Sequence, residues 1–522
     1  MQNIIKDELD VLIRARYSVI YIESPEEVRT VKLCREIAEG QQKALFTWSL
    51  TQGLMEIDLT QPKIEMGKPI PDTQDPIMAM SKITEVNKPS IVILKDFHRI
   101  IDDNIVCRAM RDLSISLQAS STTVIIVSPV IKIPTELQKE ITVVSLPLPN
   151  VEEISAVLEN VISTSENTAP DHVKAKIKQV RKEMKNGLRD QVLNAAKGLT
   201  LGEAENVFSK SLIANKKIDI RTITAEKEQV IKKSGILEFF ADVLNIQDIG
   251  GLDNLKIWIQ KRKKAFTAEA KKFKLRTPRG VFLTGLPGVG KSLSAKAIAG
   301  YFEMPLLRLD VSKIFSGVVG SSEQNISQAL KTAEAVAPCV LWIDEVEKAL
   351  AGVQSSGQLD SGVTARVFGT LLTWMQEHKE DVFLVVTSNN PLSIPPEFMR
   401  RFDEVFFVDL PTIEEREEIY RIHLTKVARD PEAFNISQAA SISEGYSGAE
   451  IEKVIMAAMY DAFDNGDDIT DEYIYGAIKK TIPLSEQRKE EIAKLREWSK
   501  VAINASKTQV KESGTERKLD FQ

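Results

Sequence analysis

The pattern of apolar residues predicts an α/β protein of two tandem parallel-sheet modules, each followed by a helical segment, with a phosphate loop in the second module only. Three observations carry that expectation. Short buried-strand runs alternate with amphipathic helices over residues 1–150 and again over 276–411, within a second α/β domain of 236–411, the pattern of a parallel sheet wrapped by helices. Mostly helical stretches follow each of these, at 151–235 and 412–482. Similar landmarks recur in the same order in both halves, as a duplication leaves them.

In the first half, Val19 to Ile22, Ala44 to Trp48, Ile91 to Leu94 and Val124 to Val127 read as buried strands, with a helix at Val28 to Ala38 between the first two. The Lys- and Arg-rich run Asp171 to Arg189 suits an acidic partner or, more simply, a solvated helix face. Residues 236–275 read as an approach segment ending in a helix. The end of the chain, 483–522, begins as a charged helix, Glu486 to Ile503, and is expected to fray beyond Ser506.

The second half opens on Val281-Phe-Leu-Thr-Gly285-Leu-Pro-Gly288-Val-Gly290-Lys291-Ser292, a strand run leading into Gly-x-x-x-x-Gly-Lys-Ser, with a helix from Leu293 to Phe302. An ordinary glycine-rich turn has no need of the Lys-Ser pair. In a phosphate loop the backbone N–H groups of Gly285, Pro287, Gly288, Val289, Gly290, Lys291, Ser292 and Leu293, proline excepted, curl toward a polyphosphate at the positive end of the helix. Lys291 then reaches the β- and γ-phosphates and Ser292 sits on Mg²⁺, so the expected ligands are ATP and Mg²⁺.

Downstream, Val340-Leu-Trp-Ile-Asp344-Glu345 is an apolar strand ending in two carboxylates. Asp344 is placed to hold the Mg²⁺ shell and Glu345 to polarise the attacking water. Phe383 to Asn389 is a further buried strand ending in an amide. Asn389 either orients that water or forms the turn before Pro391.

The matching landmarks are specific. Pro89-Ser-Ile-Val-Ile-Leu-Lys95-Asp96 parallels Pro338-Cys-Val-Leu-Trp-Ile-Asp344-Glu345, and Gly198 to Glu205 parallels Gly445 to Glu452. The chemistry does not repeat. Glu23, Glu26 and Val28 stand where Gly285, Gly288 and Gly290 do, Lys95 replaces Asp344, and Pro129 replaces Asn389. Carboxylates there repel a phosphate, so the first half reads as a nucleotide-dead platform. A weak second site using Arg29 and Thr30 is the rival expectation.

Asp248-Ile-Gly-Gly-Leu-Asp, the phosphate loop, Asp344-Glu345, Thr387-Ser-Asn389, Met399-Arg400-Arg401-Phe-Asp and Gly445-Tyr-Ser-Gly448-Ala449-Glu together resemble the successive landmarks of AAA-type ATPases over 248–482. The resemblance implies a wedge-shaped domain, a helical lid and a ring, usually a hexamer of identical chains. It also implies that Arg400 and Arg401 act as arginine fingers on a neighbour's γ-phosphate, and that Ile249, Gly250, Gly448 and Ala449 line adenine and ribose. More narrowly, the whole chain is similar to the AAA-domain proteins of cyanobacteria and red-algal plastid genomes, a group akin to the Rubisco activase-like ATPases of red-type organisms. That likeness implies a cytoplasmic or plastid-stromal protein acting on an unidentified protein client. One departure stands out. Val318 occupies the place where ring translocases carry an aromatic pore residue, so the flat gripping surface of a threading motor is missing unless Phe315, three positions earlier, substitutes for it.

Composition narrows the alternatives. Hydrophobic residues make up 43% and charged residues 27% of the 522, ordinary for a globular chain. A net charge of −6 with only 6% aromatics argues against nucleic-acid remodelling, which uses basic channels and stacking rings. Three scattered cysteines and four histidines give no zinc or disulfide framework. No apolar run reaches the ~18 residues of a membrane span, and no signal peptide is visible. Two functional classes remain: an ATP-driven remodeller of a protein partner, or an oligomeric scaffold whose ATP state sets assembly while turnover is incidental.

Overall fold

A computed structural model describes residues 2–61, 65–168, 170–184, 188–233, 235–240, 244–314, 321–348, 361–378 and 381–506. The segment holding Phe315 and Val318, and the end of the chain past 506, lie outside the described residues. The chain divides into two compact units, Met1–Ile220 and Arg221–Gln522.

Unit 1 contains strands β1 (Val19–Glu23), β2 (Ala44–Ser49), β3 (Gly53–Asp58), β4 (Glu65–Met66), β5 (Ser90–Lys95), β6 (Thr123–Ser128) and β7 (Ile141–Ser145). They form one sheet in the order β4-β3-β2-β5-β6-β1-β7. The run from β2 to β7 is parallel, and β3 and β4 extend it antiparallel at one edge. Strand alternation divides the side chains between two cores. Val19 and Tyr21 pack with Trp48, Phe97 and Met110 on one face, while Ile20 and Ile22 pack with Leu9, Cys34 and Ile37 on the other. Strands buried on both faces read as continuous apolar runs, which is why they were legible. Helices Val151–Thr168, Asp171–Glu183, Arg189–Ala196 and Leu201–Asn215 follow.

Unit 2 repeats the plan. Its strands are β8 (Leu237–Phe240), β9 (Gly280–Gly285), β10 (Leu306–Leu309), β11 (Cys339–Ile343), β12 (Val382–Ser388), β13 (Glu404–Val408) and β14 (Ile503–Asn504). The sheet order is β14-β13-β9-β12-β11-β10-β8. Taken in chain order, its five central strands occupy the same relative positions as β1, β2, β5, β6 and β7 in the first sheet. The duplication read from scattered landmarks is therefore a duplication of topology. Two edge strands were not foreseen: β8 pairs antiparallel with β10, and β14 pairs parallel with β13. Helix Ile220–Lys233 precedes β8, and its Ile231 joins the core of this second unit.

A lid of helices Ile413–Lys426, Ile436–Ile442, Gly448–Asp464 and Asp471–Lys480 carries its own apolar core around Tyr420, Ile451 and Ile474. The charged helix expected over Glu486 to Ile503 is shorter, Lys489–Trp498, and the chain then turns to supply β14. Ile492 and Leu495 of that helix pack on Phe407 and on Leu286 of the phosphate loop. Among the described residues no helix is long and apolar enough to cross a membrane.

Candidate nucleotide site

β9 lies between β13 and β12, where the chain order reverses, so the loop after it opens on the crevice at the carboxyl ends of the strands. Gly290 caps helix Lys291–Phe302, whose free N–H groups point back into the loop. Gly288 has φ +78°, and a Cβ there would lie 3.0 Å from Ser447 Oγ and 3.1 Å from Ala449 Cβ. Only glycine meets both constraints. Lys291 is 7% exposed. Its Nζ donates to the carbonyls of Gly285 (2.9 Å) and Leu286 (2.5 Å). Burial pushes its ammonium down to about 8, against the pull of Glu347, Asp344 and Glu345.

The two carboxylates reach the crevice together because the chain leaves β11 with Glu345 in the left-handed region, φ +49°. A hydroxyl and amide chain then fixes them. Thr387 Oγ1 donates to Asp344 Oδ1 at 2.6 Å and accepts from the Glu345 N–H at 3.1 Å. Asn389 Nδ2 donates to Glu345 Oε1 at 3.0 Å, and its own N–H donates to Glu347 Oε1 at 2.9 Å. Ser292 Oγ donates to Asp344 Oδ1 at 3.3 Å. A serine hydroxyl beside a carboxylate is a hard-oxygen donor set of the kind Mg²⁺ takes. Ser292 and Asp344 would hold the ion, which supplies charge neutralisation to the phosphate oxygens.

The lid closes the other side. Ala449 N–H donates to Gly288 O at 3.0 Å, tying the start of helix Gly448–Asp464 to the loop. Gly251 and Leu252 donate their N–H groups to Glu418 (2.5 Å) and Glu415 (3.1 Å) of helix Ile413–Lys426. A Cβ on Gly250 would lie 2.7 Å from Ile419 Cγ1, so this close approach requires glycine. The result is a cavity of about 310 Å³ lined by Ile249, Gly250, residues 287–293, Asp344, Glu345, Asn389, Gly448 and Ala449, among others.

Every residue expected at the nucleotide or the metal thus lies on this cavity except Gly285, which sits beneath it and turns its carbonyl to Lys291. Arg400 and Arg401 do not line it. Arg400 is exposed, while Arg401 is half-buried against Gln376, whose amide oxygen accepts from its guanidinium.

Comparison with known proteins fits this geometry. The family model for the "ATPase family associated with various cellular activities (AAA)" matches residues 281–410. The models for the N-terminal and second domains of SpoVK-like AAA ATPases match 5–146 and 152–234. The AAA domain-containing protein ycf46 of Guillardia theta is 36% identical over 504 residues, covering 95% of each chain. The chain belongs to the AAA ATPase family. The ycf46 protein of Trieres chinensis is 37% identical over 503 residues, 94% of this chain and 96% of its own. The cell division cycle protein 48 homolog of Archaeoglobus fulgidus is 34% identical over 270 residues, 49% of this chain and 36% of its own.

Within this AAA chain the cavity also takes in Asp248, Thr387, Ile419, Ile422, His423, Lys426 and Glu452, which were not read from the sequence as site residues. Ile419, Ile422, His423 and Lys426 lie on one face of a lid helix, a spacing that also describes ordinary core packing. The available signal was His423, one of only four histidines. Burial lowers its basicity, partly offset by Glu452.

Proposed function

We propose that the second unit binds Mg-ATP and hydrolyses it, that six copies assemble into a ring, and that turnover remodels or regulates a protein partner. The chain of hydrogen bonds from Asn389 through Glu345 and Thr387 to Asp344 is the observation that carries this reading. It fixes a candidate base beside a candidate metal ligand at the mouth of the phosphate loop. Glu345 polarises the attacking water, Asn389 orients it, and Lys291 leaves its loop carbonyls for the β- and γ-phosphates. Arg400 and Arg401 complete the pocket of a neighbouring copy, in keeping with their position off their own cavity. An arginine supplied in trans makes hydrolysis depend on assembly.

The first unit serves in this proposal as a nucleotide-dead platform that selects the partner. Its support is the buried Arg29, whose guanidinium is engaged by Glu26, by both oxygens of Glu153 and by the Pro147 carbonyl. Thr30 Oγ1 is bound to Glu26 O. Glu26 Oε1 also accepts from Leu201 N–H at 2.7 Å, which ties the start of helix Leu201–Asn215 to the position where a phosphate loop would be. A role in carbon fixation, and residence in the cytoplasm or a plastid stroma, extend the family likeness. The scaffold reading draws on Val318 at the pore position; stimulation of turnover by a client separates the two.

Glu345→Gln is the test. Nucleotide binding is expected to survive and turnover to fall by at least ~100-fold, the usual worth of a positioned general base. Parental turnover in that variant removes Glu345 from the role.

A further inference from the structure

Asp344 has two oxygens in different company. Oδ1 is satisfied by the Thr387 and Ser292 hydroxyls at 2.6 and 3.3 Å. Oδ2 faces Arg308, whose Nη2 is 3.8 Å away. Arg308 lies on β10, directly across from Glu238 on the edge strand β8, and its Nη1 is 3.5 Å from Glu238 Oε2. Both distances exceed the 2.7–2.9 Å of a settled charge-assisted hydrogen bond. The guanidinium stacks over Trp342, 5.2 Å from the ring centre, and its Nε is buried with no hydrogen-bond partner among the described residues. Glu238 is itself shared, since Lys313 Nζ donates to its Oε1 at 3.2 Å and also lies 3.4 Å from Asp310. Arg308 is therefore held between two carboxylates and fully bonded to neither.

We propose that Arg308 is a positioning residue for Asp344, a cation from the same chain that competes with Mg²⁺ for Oδ2 and is drawn off by Glu238. The proposal rests on the ATP-site reading above. Removing Arg308 leaves Oδ2 to the metal and tightens Mg²⁺ uptake. Removing the charge of Glu238 lets the guanidinium settle on Asp344 and weakens it. An edge strand present in this unit thus tunes the metal site from outside the cavity.

The experiment measures the Mg²⁺ concentration that half-saturates binding of a fluorescent ADP analogue to the full chain, so that hydrolysis plays no part. Arg308→Leu keeps the packing on Trp342 and is expected to lower that midpoint two- to five-fold. This matches the worth of a partly exposed ion pair, and five-fold corresponds to about 1 kcal/mol. Glu238→Gln is expected to raise it, and in the Arg308→Leu background to change it by less than 1.5-fold, because Glu238 acts through the arginine. Added salt shrinks the single-variant shifts. A midpoint that stays put or rises in Arg308→Leu overturns the proposal, as does a Glu238→Gln effect of equal size with and without Arg308. Thermal unfolding checks that each variant is folded, and Arg308→Gln replaces Arg308→Leu if the latter is not. Failure of the analogue to bind the parental chain at any Mg²⁺ concentration overturns the ATP-site reading instead, and this proposal with it.

Discussion

Lys291 gives the site a pH window. Its ammonium is buried and its pKa lowered to about 8, with burial as the leading cause. A triphosphate binds the charged form, so nucleotide affinity is fully developed below pH 8 and falls as the amine loses its proton above it. Each pH unit past that point costs up to a factor of ten, so affinity at about pH 9 is roughly ten-fold weaker than at about pH 7. Stability moves the other way. The unfolded lysine titrates at 10.5 and the folded one at about 8. The unfolded chain therefore holds more protons between those values, and the contribution of Lys291 to stability rises with pH across that window. Opposite slopes for affinity and stability identify one buried cation rather than general alkaline damage. Fluorescent-nucleotide titrations from about pH 6.5 to about pH 9.5, with thermal melts of the nucleotide-free protein alongside, read both. Lys291→Met, which has no charge to offer at any pH, should bind no nucleotide across the same range. A parental affinity that stays flat to about pH 9.5 refutes the reasoning.

Thr387→Val keeps the side-chain volume but strips Asp344 of its 2.6 Å donor and the Glu345 N–H of its acceptor. It should cost about 2 kcal/mol and lower the melting temperature of this unit by roughly 5 °C; Thr387→Ser should recover most of both. Leu495→Ala opens a cavity beneath Leu286 of the phosphate loop and should cost about 2–4 kcal/mol while weakening nucleotide binding. Unchanged affinity in that variant, measured by the same titration, separates the C-terminal helix from the function of the loop.

Much of this architecture was legible because the strands are buried on both faces, and because a phosphate loop needs glycine, lysine and serine at fixed spacing. Asp344 and Glu345 stand out as carboxylates at the end of an apolar strand, and the left-handed turn at Glu345 that points both into the crevice is the part that sequence does not announce. Asp96 turns the same way, φ +52°, at the matching place in the first unit, so the two units share this turn although Lys95 precedes it in one and Asp344 in the other. The strands β8 and β14 went unseen for a different reason. Each is short and lies at an edge, where pairing with an existing strand decides the conformation more than intrinsic preference does. β14 is also held from the side, by Asn254, whose Nδ2 donates to the carbonyls of Asn504 and Ser506. Lid residues such as Ile419 and His423 were hidden because a helix face turned to a ligand has the same periodicity as one turned to a core.

The number of nucleotides held per chain tests the division of labour between the two units most directly. Equilibrium dialysis with ATP and Mg²⁺ on the Glu345→Gln chain should give one, and adding Lys291→Ala should bring it to none. A second nucleotide per chain, or binding that survives the loss of Lys291, contradicts a single working site in the second unit.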